Sequence, residues 1–126
     1  MSRFDDLEAI AGIVVDCGFQ LHNDIGPGLL ENAYEALMAE ALRQRGLSAV
    51  RQVQVPLRYR GVVVDNAFKI DLLVEQQLVV ELKSIERLAP VHGKQVLTYL
   101  RLMQLPLGLL MNFARRIAND YFGQIP

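Results

Sequence analysis

An apolar segment in the middle of the chain, FKIDLLVEQQLVVELKS (68–84), carries three charged side chains that could do chemistry together. Its pattern predicts a β-hairpin, and side chains two apart on a strand share a face, so Glu81 and Lys83 point the same way. If the turn has three residues, Glu75–Gln77, then Asp71 lies directly opposite Glu81, with β-carbons about 5 Å apart. A two-residue turn would send the two carboxylates to opposite faces of the hairpin. The chemistry therefore depends on the register of these two strands.

Two carboxylates and a lysine on an otherwise apolar hairpin predict a site for a divalent cation. Such charges are costly unless they are paired or bound to an ion. Mg²⁺ is usually held by one or two carboxylates and several waters, and Lys83 could then orient an attacking water or stabilise charge on a phosphate. The alternative interpretation is a half-exposed Glu81–Lys83 ion pair that contributes little to stability. Asp65 and Glu75 share the strand parity of Asp71, and we interpret both as solvated.

Two predicted helices carry further polar side chains at helical spacing. Gly28, Glu31 and Tyr34 follow one another at steps of three, which makes Glu31 and Tyr34 neighbours on the helix surface. A carboxylate is favoured at a helix N-terminus, so Glu31 alone is consistent with an ordinary acid of the first turn. Gln95 and Tyr99 lie one turn apart and face the same way, which alone is consistent with a polar helix edge.

The elements that must position these residues can be read from apolar spacing and turn residues. Two helices come first: one is capped by Asp5 or Asp6 and ends before 25–28, and the other spans about 29–45. Four strands follow; they span 52–59, begin at 62, span 67–74 and span 78–83. A third helix then runs from 90 to about 104, and a last strand spans 107–113. Pro56 places its strand at a sheet edge or at a bulge. The order α-α-β-β-β-β-α-β predicts an α/β (α+β) protein with a mixed central sheet flanked by helices.

The composition predicts one globular domain spanning residues 1–126. The chain is 52% hydrophobic and has a formal net charge of −1, so no global positive field marks a nucleic-acid binder. The charge is unevenly distributed, however. Residues 1–42 contain eight acidic residues and one basic residue, whereas residues 43–126 contain twelve basic and six acidic residues. A polyanion could therefore meet a basic half of the protein.

Further expectations concern single residues and the surroundings of the protein. The lone cysteine, Cys17, excludes an intrachain disulfide, and its apolar context predicts a buried thiol. The apolar run Ala9–Val15 is too short to span a bilayer and follows acidic residues, so we expect a cytoplasmic protein with no membrane partner. The high apolar fraction and an exposed sheet edge at Val53–Tyr59 predict a homodimer. His22 and His92 are interpreted as helix-end residues that cap or pack.

In order and spacing, three groups of residues resemble the GxxExxY family, a small branch of the PD-(D/E)xK nuclease-like superfamily. They are Gly28-Leu-Leu-Glu31-Asn-Ala-Tyr34, Asp71 and Glu81-Leu-Lys83. The similarity runs from His22 to Phe113, and Ile70 stands where the superfamily name has proline. The resemblance implies a single-domain, restriction-endonuclease-like core.

The same resemblance implies roles for individual side chains. Glu31, Asp71 and Glu81 would bind Mg²⁺ or Mn²⁺, and Lys83 would assist hydrolysis. Gln95 and Tyr99 match the QxxxY arrangement that a later helix of the superfamily often carries.

The residues and the resemblance together predict a Mg²⁺- or Mn²⁺-dependent nuclease that hydrolyses phosphodiester bonds of DNA or RNA. No set of basic residues has a spacing that reads bases, so we expect weak sequence preference. The alternative hypothesis is a nuclease-like subunit that binds nucleic acid or assembles with partners and has little or no catalytic turnover. The near-neutral charge and small size favour that alternative, whereas the clustered carboxylates favour the enzyme.

Overall fold

The computed structural model describes residues 6–114 and the backbone of a strand at 118–123. The elements in chain order are α1 (Leu7–Ile25), α2 (Glu31–Gln44), β1 (Ala49–Tyr59), β2 (Val62–Val74), β3 (Leu78–Lys83), α3 (Pro90–Met103), β4 (Leu107–Asn112) and β5 (Ala118–Gly123). The strands form one mixed sheet in the order β1-β2-β3-β4-β5. Only the β3–β4 pair is parallel among these strands, and α3 provides the crossover that a parallel pair needs. The predicted mixed sheet flanked by helices is confirmed.

The first two helices begin and end at residues that the sequence marks. Asp6 caps α1, and its carboxylate accepts a hydrogen bond from the Glu8 N–H at 2.9 Å. Asp5, the other predicted cap, lies outside the described residues. The chain leaves α2 at Gly46, whose φ of 85° is a left-handed conformation that glycine adopts without strain. Among the described residues, no helix combines the length and apolar character needed to cross a membrane.

Two apolar clusters hold the helices on opposite faces of the sheet. The first joins α1 and α2 to one face and includes the buried Cys17, as predicted. The second joins α3 to the other face. Val80 and Leu82 belong to the first cluster, whereas Val79 belongs to the second. Because side chains alternate along a strand, Glu81 lies on the α3 face together with Val79.

The element order differs from the prediction at β2, which is one strand rather than two. Two strands, from 62 and over 67–74, were predicted here because the intervening pair Asp65-Asn66 is typical of turns. In the structure, β1 pairs with β2 along both segments, and the register shifts between Val55 and Leu57. Pro56 sits at that shift, on the edge strand of the sheet, as its missing N–H predicts. Between the two paired segments, Pro56 alone faces the three β2 residues 65–67. The two extra residues therefore lie on β2, at the predicted break, and the strand continues beyond them.

The element order differs a second time at the end of the chain, where β5 pairs antiparallel with β4. The segment ANDYFG has no apolar alternation, so its structure was ambiguous from the sequence. An edge strand needs only one partner, and backbone pairing does not require an apolar pattern. The observed order is therefore α-α-β-β-β-α-β-β.

Candidate metal centre

The hairpin between β2 and β3 has the three-residue turn on which the site depends. Val74 and Leu78 are paired across the loop, and Leu72 pairs with Val80 further along. Continuing this register places Asp71 opposite Glu81. The three-residue turn is confirmed, and it brings Asp71 and Glu81 together across the hairpin.

The two strands stop pairing through their backbones at this point, and the acidic side chains take over. The backbone N–H of Asp71 donates to Glu81 Oε1 at 2.9 Å, and the N–H of Leu82 donates to Asp71 Oδ2 at 2.8 Å. The second oxygen of each carboxylate accepts no hydrogen bond from the described residues. Each acid is thus oriented by a backbone amide and keeps one oxygen for another ligand.

The electrostatics of this pair favour a bound cation. Glu81 is 6% exposed, and its burial together with the Asp71 charge raises its pKa to about 8. Burial also raises the pKa of Asp71, and the charges of Glu35 and Glu31 add to that rise. The Lys83 charge opposes both shifts. A divalent cation beside the free oxygens would offset both the burial cost and the mutual repulsion.

The third acid of the predicted set, Glu31, opens α2 and reaches the end of β3. Its Oε1 accepts a hydrogen bond from the Ser84 N–H at 3.3 Å, and its charge acts on Asp71. No three His, Cys, Asp or Glu side chains in the described part of the chain form a ready metal cage. Mg²⁺ commonly uses one or two protein carboxylates and completes its shell with water. The Asp71–Glu81 pair fits that donor set, with Glu31 close enough to act on it.

Tyr34 explains how the start of α2 is held in place. Its hydroxyl donates to the Gly26 carbonyl at 2.6 Å and accepts from the Leu29 N–H at 3.3 Å. Its ring is fully buried and stacks on Phe113 with centroids 4.5 Å apart. The glycine-rich turn before α2 is therefore tied to the helix whose first residue is Glu31.

Comparison with known proteins identifies the family of the chain. A sequence model of the PD-(D/E)XK nuclease superfamily matches residues 8–122. The chain belongs to the PD-(D/E)XK nuclease superfamily. The fold agrees: the crystal structure of SSO0001 is similar with a TM-score of 0.59 at 19% sequence identity. That match covers 76% of this chain and 51% of the other, so this chain spans about half the length of its structural relative. No curated protein matches the chain.

Of the remaining predicted site residues in this superfamily member, the structure brings two close to the acid pair. Lys83 is half-buried on the strand that carries Glu81, and its charge lowers the pKa of both acids. Tyr99 on α3 is buried, and burial together with the Glu81 and Asp71 charges raises its pKa to about 12. Gln95 lies one turn earlier on α3 and is exposed, with no hydrogen bond to the described residues.

Sequence reasoning missed one buried acid whose charge acts on the Asp71–Glu81 pair, Glu35. It is 3% exposed, and its charge raises the pKa of both Asp71 and Glu81. Arg51 Nε lies 3.0 Å from its Oε1, and Gln52 Nε2 donates to its Oε2 at 2.7 Å. The available signal was the step of four from Glu31, which places both acids on one face of α2.

Three further polar residues from the sequence analysis lie outside the acid cluster, and their contacts are local. His92 Nδ1 accepts from the Ala89 N–H at 2.9 Å, so it caps α3 as a helix-start residue. His22 lies near Phe113, and its buried Nε2 has no hydrogen-bond partner among the described residues. The Glu75 carboxylate accepts a hydrogen bond from the Ser48 N–H at 3.3 Å. Glu75 follows the end of β2, whereas Asp65 lies near its start.

Proposed function

We propose that residues 1–126 act as one nuclease-like domain of the GxxExxY branch, a Mg²⁺- or Mn²⁺-dependent phosphodiesterase that cuts nucleic acid with weak sequence preference. The observation that carries the proposal is the Asp71–Glu81 pair, in which each carboxylate is oriented by one amide and keeps one oxygen free. Lys83 lies two residues after Glu81 on the same strand face, so its ammonium group is close to the acid pair.

Three carboxylates of the chain would hold the metal ion. Asp71 and Glu81 offer their free oxygens directly, and Glu31 contributes from the start of α2. A bound divalent cation supplies the positive charge that activates water and neutralises the departing oxyanion. The Lys83 ammonium, half-buried beside the acids, donates hydrogen bonds that orient the water or the phosphate.

Residues of α3 would contribute to the site beside the Asp71–Glu81 pair. With a pKa of about 12, Tyr99 stays protonated at neutral pH, so its hydroxyl acts as a hydrogen-bond donor rather than as a base. Gln95 is exposed one turn away and would contact the substrate. Lys94 and Arg101 are exposed on the same helix, where cations favour a polyanionic backbone.

The test is cleavage of labelled single- and double-stranded DNA and RNA with Mn²⁺, Mg²⁺ or a chelator. Wild type and Asp65→Ala are expected to cut only with metal, whereas Asp71→Ala is inactive. Asp65 is a matched control because it is an exposed aspartate on the same strand, away from Glu81. Cutting by Asp71→Ala, or cutting in chelator, contradicts the proposal. Binding without cutting by wild type would establish the non-catalytic subunit instead.

We also propose that the protein forms a homodimer through the β1 edge. Tyr59 and Val62, paired at the tip of the β1–β2 hairpin, are 65% and 61% exposed. A second copy would cover this apolar pair and the unpaired edge of β1. Light scattering at tens of micromolar is expected to give twice the chain mass of 14.2 kDa and the monomer mass for Val62→Lys. A monomeric wild type would contradict the proposal.

A further inference from the structure

Gln52 has a backbone conformation that non-glycine residues rarely adopt in a strand. Its φ is 54°, in the left-handed region, yet it lies inside β1. The other described non-glycine residues with positive φ lie at turns or at a helix end; they are Arg60, Glu75, Gln76 and Gln104. Strained conformations of this kind persist where surrounding contacts hold them, and they cluster at functional sites.

The strained residue lies beside the candidate metal centre. Arg51 pairs with Leu72 and Val53 pairs with Ile70, so Gln52 falls opposite Asp71. Ala49 on β1 and Leu72 on β2 belong to the apolar cluster under α1 and α2. Directly beyond the Gln52–Asp71 position, Val53 and Ile70 pack in the cluster under α3. Both strands therefore exchange faces at the Gln52–Asp71 position.

The strain has a visible result, because consecutive side chains of β1 reach the same carboxylate. In a regular strand, neighbouring side chains point to opposite faces. Here Arg51 Nε and Gln52 Nε2 bond the two oxygens of Glu35 at 3.0 and 2.7 Å. The left-handed turn at Gln52 is what brings its amide to the side on which Arg51 already lies.

Glu35 in turn fixes the helix that carries Glu31. The two acids are one turn apart on α2, and each is tied to a different strand. Glu35 is bonded to β1 through Gln52, and Glu31 is bonded to the Ser84 N–H just after β3. Asp71 on β2 lies between these two attachments. Any rotation of α2 released at Glu35 would therefore move the Glu31 carboxylate relative to Asp71.

We infer that Gln52 is a positioning residue: its strained backbone delivers a hydrogen bond to Glu35 that sets the rotation of α2, and so the place of Glu31 relative to Asp71 for binding a divalent cation. The inference rests on the proposed function, since it concerns the geometry of the metal ligands. Arg51 alone would satisfy the charge of Glu35. The second bond, from an uncharged residue in a costly conformation, adds orientation rather than charge.

The test is Mn²⁺ binding by calorimetry together with thermal unfolding of the metal-free protein, using Gln52→Gly. Glycine relieves the left-handed strain and deletes the bond to Glu35 without changing the net charge. We expect Mn²⁺ affinity to fall about 10- to 100-fold, as for outer-shell partners of metal ligands. The unfolding midpoint should change little, because relief of the backbone strain offsets the loss of the hydrogen bond. Gln76→Gly is the matched control, because Gln76 has φ 56° in the exposed β2–β3 turn. It should keep wild-type affinity and raise the midpoint.

A second variant, Gln52→Asn, tests the same hydrogen bond without the added backbone flexibility that glycine introduces into the strand. Asparagine tolerates the left-handed region but is one methylene too short for the 2.7 Å bond to Glu35, so the same loss of affinity is expected. Wild-type affinity in both Gln52 variants overturns this inference and leaves the proposed function intact. Failure of wild-type protein to bind Mn²⁺ overturns the proposed function and this inference with it.

Discussion

Asp71 and Glu81 are each held by the strand opposite their own. The Glu81 carboxylate accepts the N–H of Asp71 on β2, and the Asp71 carboxylate accepts the N–H of Leu82 on β3. The two side chains thus replace the ladder bonds that end at the Leu72–Val80 pair. An amide in place of either acid can still accept the same bond through its carbonyl oxygen. Amide variants therefore remove charge while they retain the shape of the site.

The raised pKa of Glu81 predicts how stability depends on pH without metal. Its ordinary value of 4.5 applies to the unfolded chain, and about 8 applies to the folded protein. Between these values the folded state binds more protons, so the free energy of unfolding decreases as pH rises from about 5 to about 8. Glu81→Gln is expected to flatten this slope and to be at least as stable as wild type at pH 8. Thermal unfolding of metal-free protein across this pH range measures it.

The control for this experiment is Asp65→Asn, which removes the charge of an exposed carboxylate on β2. That variant should keep the wild-type slope, and added Mn²⁺ should stabilise both it and wild type at pH 8. If Glu81→Gln instead lowers stability throughout the range, the glutamate is a structural ion-pair member and not a metal ligand.

Lys83→Ala separates metal binding from turnover. Removing a positive charge near Asp71 and Glu81 should leave Mn²⁺ affinity equal or higher, because that charge opposes a second cation. Cleavage should fall about 100-fold or more, the loss typical of a group that stabilises developing charge. Lys69→Ala, which changes an exposed lysine on β2, serves as the control for both measurements. Normal cleavage by Lys83→Ala would remove the lysine from the mechanism.

Tyr34→Phe tests how the turn before α2 is anchored. The substitution deletes the hydroxyl bonds to the Gly26 carbonyl and the Leu29 N–H but keeps the ring on Phe113. Leaving these backbone groups unpaired should cost about 1–3 kcal/mol in the free energy of unfolding, measured by urea denaturation. Tyr59→Phe, at an exposed tyrosine, should change stability by less than about 0.5 kcal/mol. Equal effects would contradict the anchoring role.

Gly108→Ala tests the contact between α3 and β4. A β-carbon at this position would lie 2.5 Å from Val96 Cγ1, which is too close for van der Waals contact. Val96 is buried and β-branched, so its side chain cannot easily move away. The expected destabilisation is about 1–3 kcal/mol, the usual cost of overpacking a core. Gly12→Ala is the control, because a β-carbon on that exposed helical residue meets nothing within 4 Å. It should stabilise the protein by about 0.5–1 kcal/mol.

The part of the site that the sequence predicts well is the part built by local chain geometry. A three-residue turn and the two-residue period of strands are enough to place Asp71 opposite Glu81. The same local rules located Pro56 at an irregularity of the edge strand. Neither result requires knowledge of which elements meet in the folded protein.

The part that the sequence does not predict depends on contacts between distant elements. Glu35 looks like an ordinary helix glutamate until Arg51 and Gln52 from β1 bond it. The left-handed backbone at position 52 could not be predicted, because the residue there is glutamine and not glycine or asparagine, the usual signals of positive φ. Strand β5 is likewise defined by its pairing with β4 and not by its own pattern. The roles of all six predicted site residues stay predictions; these residues are Glu31, Asp71, Glu81, Lys83, Gln95 and Tyr99.

The hydrogen bond between the Ser84 N–H and Glu31 has a consequence for the order of folding. It joins residues 53 positions apart, whereas Asp71 and Glu81 are only ten apart in a hairpin. Short loops close at lower entropic cost than long ones, so the acid pair can form while α2 is still unattached. The third acid arrives only when the helix docks. If the chain has the proposed nuclease activity, that activity should therefore return only with the last phase of refolding.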